Sequence, residues 1–87
     1  MKEIGDEIDL NEGGKLIDYA KMDIDYDSHK IQWRIERIAM NNGGELLRFG
    51  YWNKENGEEY TWPNRPPALD KEIFIDLLAE AMKKGIL

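Results

Sequence analysis

The chain has no cysteine, one histidine, three prolines and, in Ser28 and Thr61, a single serine and a single threonine. Each scarcity closes a class of chemistry. Without cysteine there is no disulfide, no thiolate nucleophile and no zinc–thiolate site, and the reducing cytoplasm is the expected location. His29 directly follows Ser28. Neighbours in a turn do not by themselves supply a nucleophile, a base and an orienting acid, so no catalytic residue is assigned and a non-enzymatic role is expected. No apolar run approaches the roughly 18 residues of a membrane-spanning helix. The opening MKEIGDEIDL lacks the basic-then-apolar order of a secretion signal.

Metal and cofactor signatures are equally thin. Asp23-x-Asp25-x-Asp27 opens like a calcium loop, but Ser28 and Arg34 stand where that loop needs Gly and Glu. Glu72, Asp76 and Glu80 read as a solvated helix stripe. Gly43-Gly44 lacks the rest of any phosphate-binding fingerprint. No metal, cofactor or cofactor-binding residue is therefore expected.

What the chain does contain is material for one small core. Its 87 residues are 41% hydrophobic and include three Trp, four Tyr and two Phe. That length suits a single domain over residues 1–87. Four segments are expected as strands: 20–27, 30–40, 45–53 and 58–62. In the first, Met22, Ile24 and Tyr26 alternate with Asp23, Asp25 and Asp27, the period-two pattern of a half-buried strand. Turn signals separate the segments at Ser28-His29, Asn41 to Gly44 and Asn56-Gly57.

The registers support one another. A turn centred on Ser28-His29 pairs Met22 with Ile35, Ile24 with Trp33 and Tyr26 with Ile31. It also sets Lys21 against Glu36, Asp23 against Arg34 and Asp27 against Lys30. A three-residue loop at 41–43 with Gly43 left-handed pairs Ile35 with Phe49, Trp33 with Tyr51 and Glu36 with Arg48. A type I′ turn at Asn56-Gly57 pairs Tyr51 with Trp62 and Asn53 with Tyr60. One apolar row then runs Ile24, Trp33, Tyr51, Trp62. Residues 31, 35 and 38 also have helical spacing, but a helix leaves Trp33 off that stripe and discards the cross-strand agreement. The alternation breaks beyond Arg37, which predicts a bulge.

Pro63 to Leu69 reads as a stiff connector, since proline cannot donate to a sheet ladder. A helix over 70–84 follows, with Asp70 as N-cap, an apolar stripe of Ile73, Phe74, Leu77, Leu78, Ala81 and Met82, and Gly85 as its stop. Residues 1–19 form an acidic arm or a short extra strand. The fold class is α+β: a four-stranded antiparallel meander, residues 20–62, with one C-terminal helix on one face. One helix does not hide the whole apolar row. Part of that row, or the helix flank at Ile75, is left for a protein partner or a second copy in a homodimer.

The net charge of −6 argues against tight nucleic-acid binding. Its distribution weakens that argument. Residues 1–27 hold three lysines and nine acids, which is the whole deficit, whereas residues 28–65 are slightly basic. The functional expectation is a binding or adaptor domain working through protein contacts, extending to an acidic decoy of phage or mobile-element type that occupies a basic groove. Trp52 has the parity of the face opposite the main row and lies near Arg34 and Arg48. Trp52 is there either exposed or covered by residues 1–19; because Trp and Arg dominate interface hot spots, these three are the candidate partner contacts, together with Asp23 and Asp25 of the acidic third. The alternative is single-stranded nucleic-acid binding, with Trp33, Tyr51, Trp52, Tyr60 and Trp62 stacking on bases.

Overall fold

The computed structural model describes residues 1–63 and 68–87. Four strands, β1 (Glu7–Ile8), β2 (Gly14–Asp25), β3 (His29–Met40) and β4 (Glu45–Glu55), precede one helix, α1 (Lys71–Lys83). The strands form one antiparallel sheet in chain order, and the fold is α+β. The strand count is the expected one, but its membership differs. Residues 58–62 contribute a single bridge, Asn53 to Thr61, and the short N-terminal strand β1 makes up the number. Residues 64–67 of the expected connector lie outside the described residues.

The β3–β4 hairpin follows the sequence register. Gly43 is left-handed at φ +96°, and Trp33 faces Tyr51, Ile35 faces Phe49 and Glu36 faces Arg48. The β2–β3 hairpin is shifted by two residues. Its turn centres on Asp27-Ser28, with Tyr26 N–H donating to His29 O at 2.8 Å and the two rings stacked at 4.7 Å. Met22 therefore faces Trp33, Ile24 faces Ile31, Lys21 faces Arg34 and Asp23 faces Gln32. The expected Asp23–Arg34 and Lys21–Glu36 pairs do not form. A shift of two preserves the side-chain parity, so every residue keeps its face.

The expected bulge is present across from Arg37–Ile38, with the extra residue Ile17 on β2 rather than on β3. It turns Leu16 to the face opposite Ala20, although both positions have the same sequence parity. That reversal hides the strand character of residues 14–19 from a period-two reading.

The last turn departs furthest. A type I′ turn needs positive φ at both central residues. Only Gly57 has it, at φ +79°. The returning chain meets β4 one residue late, pairing Asn53 with Thr61 rather than Tyr60. A slip of one changes face, and Trp62 leaves the expected row to join Trp52 on the other side. Gly50 makes room for it, because a Cβ there would overlap the Trp62 ring.

On the helix side the core is Ala20, Trp33, Ile35, Leu77, Ala81 and Ile86, flanked by Met22, Ile31, Phe49, Tyr51 and Ile73. Helix α1 packs on β2 and β3 and reaches β4 through Phe74, whose ring meets Phe49 edge-on at 5.4 Å. Asp70 occupies the N-cap position but makes no side-chain capping bond. The other end is closed by a Schellman arrangement: Gly85 is left-handed, its N–H donates to Met82 O, and Ile86 N–H donates to Ala81 O. Ile86 is thereby folded into the core. A second, smaller cluster of Ile8, Leu16 and Ile38 lies on the outer face under β1.

Candidate protein-contact surface

The outer face of β3 presents Gln32, Arg34 and Glu36 at alternate positions, and all three are buried. Burying an arginine is costly unless its charge is met and its donors are used. Arg34 Nε donates to Gln32 Oε1 at 2.5 Å, and Nη1 donates to Lys2 O at 2.6 Å and Glu36 Oε2 at 3.2 Å. The guanidinium stacks on the Tyr19 ring at 3.7 Å from its centroid. Glu36 in turn accepts from Arg48 Nε at 2.8 Å and Trp52 Nε1 at 3.3 Å. Arg48 covers the Trp62 ring at 4.0 Å.

The network carries two arginines and one carboxylate, which leaves one positive charge. Glu3 supplies the balance, with Oε1 at 3.5 Å from Arg34 Nη2 and Oε2 accepting from the Tyr19 hydroxyl at 2.9 Å. Burial, followed by that hydrogen bond, raises the Tyr19 pKa against the lowering effect of Arg34. The N-terminal arm is therefore held over the network by charge and hydrogen bonding.

Trp52, Arg34 and Arg48 do come together, but as an interior network. Trp52 is only 7% exposed and Arg34 is fully buried. Trp52, Trp62, Arg48 and Ile8, with Lys2 and Asp9, line a cleft of about 250 Å³ at the rim of the arm. The residue that sequence reasoning missed is Glu36, which organises the network. Its signal was present: three polar residues at alternate strand positions, opposite a tryptophan, with arginines on either side of one acid.

Asp23 and Asp25 are exposed on β2, and Asp23 joins the rim of the network through Gln32. Asp23 accepts from Gln32 Nε2 at 2.7 Å and Lys21 Nζ at 3.0 Å. Partial desolvation works against its ionisation, but these two bonds and the Lys21 and Arg34 charges outweigh it and hold its pKa low. Such a group stabilises the fold fully above its unfolded pKa of about 3.9. The contribution disappears as pH falls through the folded value. Asp23→Asn should therefore lose less stability than wild type as pH falls below the unfolded carboxylate value of about 3.9. Urea unfolding at a series of pH values checks this, and parallel curves would contradict it.

No group of three or more potential metal ligands occurs among the described residues. Ser28 Oγ lies 3.0 Å from His29 Nδ1, and no carboxylate hydrogen-bonds to either side chain among the described residues. Among the described residues no helix is long and apolar enough to cross a membrane.

The surface left open lies on the helix side. Because α1 sits over β2 and β3, Leu47 on β4 is 49% exposed, beside half-buried Phe49. The two long sheet edges also differ. Lys21, Asp23 and Asp25 line the β2 edge, and Lys84 Nζ donates to Tyr19 O there at 2.5 Å. Charges of this kind discourage strand addition. On β4, Asn53 turns its backbone N–H and C=O outward to Thr61, so by alternation Phe49 and Leu47 also point theirs outward. Neither has an outward backbone partner among the described residues. No protein-family model matches the chain, and comparison with curated proteins and with solved structures finds no similar protein.

Proposed function

We propose that this chain is a small non-enzymatic protein-binding domain that takes an extended segment of a basic protein along its β4 edge. The supporting observation is the apolar stretch of β4 at Leu47 and Phe49, unpaired among the described residues and set against the charged β2 edge. Outward backbone donors and acceptors call for an extended partner, and the two apolar side chains call for alternating apolar residues in it. The acidic N-terminal third supplies charge complementarity, which steers encounter with a basic protein. Asp23 and Asp25 belong to that electrostatic role. Trp52 and Arg48 act through the cleft beneath the arm or as support for it.

The stacking alternative has less to work with. Trp33 and Tyr51 belong to the helix-side core, and Trp52 and Trp62 pack on each other. A row of exposed aromatics is what single-stranded nucleic-acid binding requires.

The test is capture of partners by wild type, by Leu47→Asp and by Ile4→Asp, an exposed apolar position away from β4. The expected result is a partner set retained by Ile4→Asp and lost by Leu47→Asp. Identical capture by all three would overturn the β4 reading. A fluorescent oligonucleotide titration accompanies it. Binding that falls steeply with salt would establish the nucleic-acid alternative instead.

A further inference from the structure

Helix α1 has a second apolar stripe that the fold does not use. Leu77 and Ala81 face the core. At 3.6 residues per turn, Ile75, Ala79 and Met82 lie on the side away from the sheet. Ile75 is 51% exposed and Met82 is 67% exposed, the largest value among the exposed large hydrophobic residues. Their spacing of four and then three residues is that of a helix–helix seam, and small Ala79 at its middle permits close approach.

Two charged residues flank this stripe on one side. Asp76 and Lys83 are seven residues apart and therefore nearly in line. Both are exposed, and neither forms an ion pair among the described residues. Lys84 differs, because it is committed to Asp18 at 3.4 Å and to the Tyr19 carbonyl.

We infer that the occupant of this stripe is a second copy of the chain, with the two α1 helices antiparallel about a two-fold axis at Ala79. One operation brings together everything the stripe leaves open. Ile75 of each copy meets Met82 of the other, and Asp76 of each meets Lys83 of the other. A two-fold contact must be self-complementary in this way. The antiparallel arrangement also sets each helix N-terminus near the opposite C-terminus, which the helix dipoles favour. A parallel pair would instead set the Asp76–Lys83 flank of each helix against the Ile75–Met82 flank of the other, leaving both charges without a partner. A single pair of helices buries little surface, so the dimer is reversible and concentration-dependent. This contact is independent of the β4 edge, and each dimer would carry two such edges.

Sedimentation equilibrium on the full chain tests it, with circular dichroism confirming that each variant stays folded. Wild type should show a monomer–dimer equilibrium that Met82→Asp abolishes. Asp76→Lys and Lys83→Asp each turn two attractions into two repulsions, and each should weaken self-association about tenfold. Mixing these two variants in equal amounts restores both opposite-charge pairs, so the mixture should dimerise about as well as wild type. A wild type that is monomeric at every soluble concentration would overturn the inference. So would variants that mixing does not rescue. Either result leaves the Leu47→Asp comparison standing, because Leu47 is not part of this seam.

Discussion

Glu36→Ala is expected to destabilise the fold by about 3–5 kcal/mol, the usual cost of removing one partner from a buried ion pair. The side chain is fully buried and is the acceptor for Arg34, Arg48 and Trp52 together. Without it, Arg34 remains interior with the solvent-exposed Glu3, at 3.5 Å, as its remaining ion-pair partner among the described residues. Domains of this kind have about 5–15 kcal/mol of stability in total, so the variant stands near its unfolding threshold. Glu36→Gln keeps the size and one acceptor oxygen and is expected to lose less. The triple variant Arg34→Met, Glu36→Leu, Arg48→Met removes the charges along with their desolvation cost. It should be far closer to wild type than Glu36→Ala. Urea unfolding of the three variants decides the matter, and a Glu36→Ala midpoint equal to that of wild type would show that the network carries no stability.

Trp33→Ala should cost a similar amount, about 3–5 kcal/mol, through a different mechanism. Trp33 is 4% exposed. Its ring packs at 4.7 Å from Tyr51 and 5.8 Å from Phe49, and it belongs to the same core cluster as Leu77. Truncation leaves a cavity between sheet and helix that neither can close without moving. The expected result is a large fall in the thermal midpoint together with weaker near-ultraviolet ellipticity, since three aromatic rings lose their fixed packing. A fall of only a few degrees would mean that α1 settles onto the sheet to fill the space.

How far the sequence carried can be followed residue by residue. The β3–β4 register was legible because Gly43 supplies the one left-handed residue its loop requires, and only one register then satisfies both faces. The β2–β3 register was legible only in parity. Two-residue shifts leave burial unchanged, and the choice fell to local contacts such as the Tyr26–His29 stack. Trp62 was misplaced because Asn56 does not adopt positive φ, and a one-residue difference there exchanges the faces. The strand at 14–19 was concealed by the Ile17 bulge.

The candidate site was legible as a set of residues but not as an environment. Arg34, Arg48 and Trp52 were grouped correctly by parity. The exposure of Trp52 stayed open between solvent and cover by residues 1–19, and that of Arg34 was hidden because the residues that reach it are Lys2 and Glu3, about thirty positions away. A charged residue on an alternating strand reads as a solvent position unless a remote segment is known to lie across it. The open helix flank at Ile75 was visible because an amphipathic stripe wider than its supporting surface can be read from spacing alone.

The strict meander has a kinetic consequence. Each strand pairs with its neighbour in the chain, so each ladder closes through a short loop and pays little closure entropy. The long-range links come from the two ends: Lys2 to Arg34 is 32 residues and Lys84 to Tyr19 is 65. The central hairpins can therefore assemble before either end arrives. The two ends then settle independently on opposite faces of one preformed sheet, the arm over the charges and the helix over the rings.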